Sequence, residues 1–379
     1  MMKPVMRTLA VALAATALAG CSVFSFFSGP EKPKAAELPA NPATLGVRPA
    51  WANHVGPVNF PLVINVTGNQ LAVAAGDGTV AVLDAATGRD LWRGNAGAPI
   101  AAGVGSDGTT LAVITTANDL VALSGGRVLW REKLPAQSYT APLVAGNRVF
   151  VLAGDRSVSA FDGQSGRKLW TQSRPGEPLV LRQAGVLLAV GDTLLAGQGG
   201  RLVGFNPLNG SVRWEAPVAS ARGTNDVERL IDLVGRVSRQ GNSVCTRAFQ
   251  TAVGCVDASR GQVAWSKPAN GSDGVGGDDR FVVGTESDGR VVAWRRDNGE
   301  RAWIYDRLLH RTLTGPVVVG SSVAFGDADG NLHVLARDDG TLRNRIPTDG
   351  SGAAAAPVVA GSTMVMVTRN GGVHAFVPQ

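Results

Sequence analysis

This 379-residue chain has only three thiols, and their settings differ. Cys21 directly follows Leu18-Ala19-Gly20, which closes an apolar run over residues 9–18 preceded by Lys3 and Arg7. A basic start, an apolar stretch too short to span a bilayer and small residues at its end make a secretory signal. The protein is therefore expected outside the cytoplasm, in oxidising surroundings. Cys245 and Cys255 flank Ala248-Phe249-Gln250-Thr251, which reads as a hairpin tip. Facing positions on adjacent strands bring Cβ atoms within bonding range. The pair reads either as a disulfide, which that compartment favours and which would stabilise by ~2–3 kcal/mol, or as two separately buried thiols.

Other chemical signals dissolve in their context. Gly103-Val104-Gly105-Ser106-Asp107-Gly108 fits a dinucleotide-binding pattern, but that motif needs a following helix to aim amides at a pyrophosphate. Residues 109–114 read as a strand instead. Asp327-Ala328-Asp329-Gly330-Asn331 hints at calcium, yet an EF-hand loop has its Gly sixth and here Gly330 is fourth. His54, His310, His333 and His374 show no metal-ligand spacing, and no metal or other cofactor is expected. The net charge of +6 falls to +4 when Lys3 and Arg7 leave with the signal. That is weak for a chain this long and argues for no nucleic-acid partner.

The elements that carry these residues recur. One copy runs from Leu71 through Asp77-Gly78 and Asp84 to Gly88 and Trp92. A Gly four places before a Trp returns as Gly126/Trp130, Gly166/Trp170, Gly210/Trp214, Gly261/Trp265 and Gly299/Trp303. A seventh copy has Gly340, with Asn344 in the Trp position. Periods near 40 residues mark stacked repeats or propeller blades. Asp-Gly pairs between alternating apolar residues signal hairpins, and Pro99, Pro142, Pro316 and Pro357 sit where strands begin. Each unit reads as four antiparallel strands with an apolar face that needs a neighbour. The eighth unit, from about Ala353 to Gln379, lacks its last strand, and residues 47–51 read as that strand displaced to the N-terminus. Pairing the two ends removes the open edge. The expectation is an all-β, eight-bladed β-propeller over residues 46–379, closed by its N- and C-terminal strands. Residues 1–20 are the signal, and the Pro-rich residues 21–45 form a flexible tether.

Two resemblances follow. Leu18-Ala19-Gly20-Cys21 resembles the lipobox of bacterial lipoproteins, which implies acylation of Cys21. Ser22, rather than Asp, after the Cys implies the outer membrane, with the propeller in the periplasm. The Asp-x-x-[ST]-Gly-x-x-x-Trp units resemble quinoprotein dehydrogenase repeats, and eight of them on a lipoprotein resemble the BamB family of outer-membrane β-barrel assembly lipoproteins. The BamB resemblance implies a non-enzymatic scaffold that binds BamA and other assembly subunits and aids unfolded outer-membrane proteins. The alternatives are a dehydrogenase using pyrroloquinoline quinone, or a generic envelope scaffold. The dehydrogenases carry adjacent cysteines, which this chain lacks.

Two stretches carry the BamB resemblance further. Pro178-Leu179-Val180-Leu181-Arg182-Gln183 resembles the family's Leu-x-Leu-Arg segment, which implies that Leu179, Leu181 and Arg182 contact BamA. Residues 225–233 resemble the family's Glu-x-x-Arg-Leu-x-Asp-x-Asp loop: Asp232 matches, while Val234 stands where a second Asp is common. Together they imply a patch with an apolar centre and a charged rim of Arg182 and Asp232. Read without the resemblance, Leu179 and Leu181 are strand core residues and Arg182 is solvated.

Overall fold

A computed structural model describes residues 33–174, 180–220 and 230–378. Strands account for all of the regular structure among them, in eight antiparallel sheets of four. Blades 1 to 7 are consecutive, spanning residues 65–95, 100–133, 143–172, 187–217, 233–268, 275–305 and 317–347. Blade 8 joins Val358–Ala360, Thr363–Val367 and Gly372–Pro378 to Val47–His54 as its outer strand. The inner strand Val358–Ala360 touches Val317–Val319 of blade 7 and Asn65–Thr67 of blade 1, so the ring is closed. The expected closure holds, and its strand is longer than residues 47–51. It runs from Val47 opposite Pro378 to His54 opposite Gly372, with a bulge between Pro49 and Trp51.

Local chemistry explains each blade. The Asp84 carboxylate accepts hydrogen bonds from the Ala86 and Thr87 amides (3.1 and 2.8 Å), and the Gly88 N–H closes the turn on the Asp84 carbonyl (2.8 Å). Gly88 has φ 71°, and a Cβ there would fall 2.3 Å from the Trp51 ring. Only Gly meets both demands. The repeat thus couples a turn in one blade to an indole from the preceding one. Trp130, Trp170, Trp265 and Trp303 repeat this packing and donate Nε1–H to backbone carbonyls of Gly163, Pro207, Arg296 and Arg337 at 2.7–3.0 Å. Opposite the Trp stands a small residue, as at Ala122, Ala160, Gly204 and Ala293. The central strands of every blade are buried, which places the core in the seams between blades.

Asn344 is explained by the closure. Blade 8 has no turn between its third and outer strands, because the two chain ends meet there. A Trp at 344 would have no turn Gly to pack on. Asn344 instead donates Nδ2–H to the Leu45 carbonyl (2.8 Å) and accepts from Asn41 Nδ2 (3.1 Å). Residues 36–45, read from sequence as part of the tether, run from the connection between blades 6 and 7 onto the outer strand Leu342–Pro347 of blade 7. Ala36 N–H reaches the Leu309 carbonyl (2.9 Å), Arg345 N–H reaches Asn41 Oδ1 (2.9 Å), and Thr44 N–H reaches the Arg343 carbonyl (2.9 Å). Pro content alone hid this, since a Pro-rich segment still offers carbonyls and side chains to an open strand edge. The segment covers that edge.

Candidate protein-docking site

Two long connections on the same face bring the predicted residues together: residues 173–186, from blade 3 to blade 4, and 218–232, from blade 4 to blade 5. Leu181 N–H donates to Asp232 Oδ2 at 3.0 Å, across 51 residues of sequence. Gly235 N–H donates to the Ala184 carbonyl (2.8 Å), and Gly185 forms a bridge with Val234. Cys21, Leu179 and residues 225–229 lie outside the described residues.

Leu181 is half-buried in a connection and belongs to no strand, so reading it as a strand core residue fails. Arg182 is exposed, with its guanidinium carbon 5.6 Å from the centre of the Tyr139 ring, within cation–π range.

Asp232 corrects the expected charged rim. Its side chain is only 17% exposed and turns inward, toward Leu181 N–H and Arg156 Nη2 (3.5 Å to Oδ1). Burial pushes its carboxyl pKa above the ordinary value, against the opposing pull of the Leu181 amide and the Arg156 charge. A carboxylate in that position pins one connection to the other and offers little to a partner. Val234, where a second acid was looked for, is 2% exposed beside Gly185 at the start of Leu233–Gln240. A charge there would be buried without a pair.

Sequence reasoning missed Tyr139 and Arg156. The second was signalled. In most blades the middle hairpin turns on Gly, as at Gly78, Gly289 and Gly330, all with positive φ. At Asp155-Arg156-Ser157 the repeat substitutes Arg, which still takes φ 62°. A non-Gly residue there is strained, and such strain persists where the surroundings over-determine it. The ion pair with Asp232 is the local gain. Tyr139, Arg156, Leu181 and Asp232 all line a small cleft of about 40 Å3.

Cys245 and Cys255 stand directly opposite on neighbouring strands of blade 5, with their sulfur atoms bonded. Cys255 occupies the small-residue position facing Trp265. Arg296 Nη1, from blade 6, lies 3.2 Å from Cys245 Sγ. Asp327, in the sequence that hinted at calcium, is committed within the protein. It accepts from the Asp329 and Asn331 amides (3.0 and 2.8 Å) and lies 2.8 Å from His333 Nε2. Among the described residues no group of three or more His, Cys, Asp or Glu is arranged to hold a metal ion.

The family described as outer membrane protein assembly factor BamB matches residues 76–305. The chain belongs to the BamB family. The outer membrane protein assembly factor BamB of Bordetella pertussis is 34% identical over 359 residues, covering 94% of this chain and 92% of that protein. Its counterpart in Burkholderia pseudomallei is 38% identical over 341 residues, covering 88% and 89%. The crystal structure of BamB from Moraxella catarrhalis superposes with a TM-score of 0.79 at 24% identity, over 87% of this chain and 99% of that one. The quinohemoprotein alcohol dehydrogenase from Comamonas testosteroni gives a TM-score of 0.67 at 14% identity, over 89% and 77%. Both superpositions speak to the fold alone. Membership of the BamB family favours an assembly factor over the dehydrogenase alternative.

Proposed function

We propose that this protein is a non-enzymatic scaffold subunit of the outer-membrane protein assembly complex, docking on BamA through the face formed by residues 180–182 and its supports. The lipid on Cys21 holds it at the outer membrane with the propeller in the periplasm, beside the other assembly subunits and unfolded outer-membrane proteins. One observation carries the docking role: a buried carboxylate, Asp232, holds the backbone of Leu181 from a different blade connection. An exposed Arg182 and a half-buried Leu181 are thereby presented on a supported loop. Arg is favoured at hot spots because its planar fork makes several hydrogen bonds at once, and a half-buried Leu supplies an apolar centre.

The test is capture of BamA by wild type and Arg182→Glu, each paired with thermal melting. Arg182 is exposed, so the melting temperature is expected to stay within a degree or two. Capture is expected to weaken by ~2 kcal/mol or more, roughly thirtyfold in affinity. Unchanged capture removes this surface from the interface and leaves the generic scaffold with a different partner.

A further inference from the structure

At six seams an indole from one blade packs on the turn Gly of the next: Trp51 on Gly88, Trp130 on Gly166, Trp170 on Gly210, Trp214 on Gly261, Trp265 on Gly299 and Trp303 on Gly340. The seam between blades 7 and 8 has Asn344 instead, and its side chain is engaged by Leu45 and Asn41. A cavity of about 240 Å3 lies at this seam. Its wall includes Val334, directly opposite Asn344 in the strand pair, and the paired residues Phe376 and Met364 of blade 8. These two correspond in register to Phe161 and Val149 of blade 3, which share one apolar cluster with Trp130. Leu45 and Val47, where the chain enters the closing strand, add to the apolar lining, and Ser321, Ser322 and Ser362 give it a neutral polar edge. No charged residue lines it.

We infer that this seam is a binding site for a neutral, planar aromatic molecule of about the size of indole. The facing strands keep the residues that elsewhere pack against an indole, although blade 8 lacks the turn Gly, and here the ring is missing. An apolar cavity of only ~150 Å3 is enough to take up benzene, so this one accommodates a larger ring. Phe376 offers a face or edge for ring stacking, and the Met364 thioether a sulfur–aromatic contact. A charged aromatic is disfavoured, because its charge would lose water without gaining a partner.

Methionine labelling provides a direct readout. Of five methionines in the chain, Met364 and Met366 are the two within the propeller. Met364 lines the cavity, whereas Met366 is fully buried and does not. Titration of the methyl-labelled protein with indole is expected to move the Met364 methyl signal saturably, to leave Met366 nearly still and to raise the melting temperature. Benzoate at the same concentrations is expected to do neither. Asn344→Trp, which places a ring in the seam, is expected to abolish the Met364 response; Val334→Phe serves as a second filling variant if that protein does not fold. A Met364 signal that stays put with indole in the wild type overturns the site. So does an undiminished response in a folded filling variant, and an equal response to benzoate overturns the selection for neutral rings.

Discussion

The closing seam and the proposed docking face both join distant parts of the chain, but by different means. At the seam, Val47–His54 pairs with Gly372–Pro378 along its whole length, and Asn41 and Asn344 add side-chain links to blade 7. On the docking face, Asp232 reaches Leu181 with one hydrogen bond, supported by Arg156 and a short bridge at Gly185. A ladder of backbone bonds is distributed and insensitive to any one side chain. On the pinned loop the Leu181 amide is held by a carboxylate, while its neighbours are tied at Ala184 and Gly185. Closure can therefore be broken only by removing backbone, whereas the docking face is open to point substitution.

The largest expected effect comes from cutting the ladder. Deleting residues 45–54 leaves the Gly372–Pro378 strand as an open edge and uncovers the apolar face of blade 8, and thermal unfolding followed by circular dichroism should lose its cooperative transition. Deleting residues 22–35 should leave that transition where it was, because the segment that lines blade 7 begins at Ala36. Equal melting temperatures for the two deletions would mean that the ring does not depend on its N-terminal strand.

Next comes the pin. Asp232→Ala strands the Leu181 amide and takes the carboxylate from Arg156, at an expected cost of about 1–3 kcal/mol. BamA capture should fall by more than the stability loss explains, since the loop loses its support. A variant that melts early but captures BamA at wild-type level would show that Asp232 serves the fold only.

Arg156→Gly sharpens the contrast further. It relieves a positive φ, worth about 1 kcal/mol, while removing one of the two groups that hold Asp232. Stability should change little, the two effects opposing each other, while BamA affinity falls. Urea unfolding midpoints beside capture yields separate the two, and a loss of stability with unchanged capture would assign Arg156 to the fold.

The smallest effect is a dependence on acid. For Asp327, burial alone would raise the carboxyl pKa, but His333 and the Asn331 groups more than offset it and hold it below the ordinary value. Its stabilisation is present above the unfolded-chain value of about 4 and is lost as pH falls through the lower folded value. Asp232 is opposite in sign: burial raises its pKa, so its penalty is present at neutral pH and fades as pH falls through the raised value. Melting temperature against pH should therefore flatten on the acid side for Asp327→Asn and steepen slightly for Asp232→Asn. Parallel curves for the two variants would contradict these assignments.

The repeat itself was legible because it rests on local rules. Asp and Gly at fixed spacing make a turn, and a Trp four residues later must find an apolar surface. The half-repeat at residues 47–51 could be matched to the incomplete eighth unit for the same reason. Asn344 was visible only as a departure. Its reason, the absent turn in blade 8, needed the two chain ends placed side by side. The pairing of Cys245 with Cys255 was open between bonded and separate thiols until their strand register placed them opposite each other.

What the sequence determined alone was therefore periodic: eight four-stranded units, their turns, the closing strand and the residues worth asking about. Side-chain direction in the connections lay beyond it. Asp232 read as a rim charge because residues 225–233 resemble the family's acidic loop, and only the tertiary structure turned it inward onto Leu181 and Arg156, which are 51 and 76 positions away in the chain. Strand periodicity dictates which face a residue takes within a blade. Outside the strands no such rule applies, and the partner that satisfies a buried carboxylate is chosen by whichever blades the ring happens to bring together.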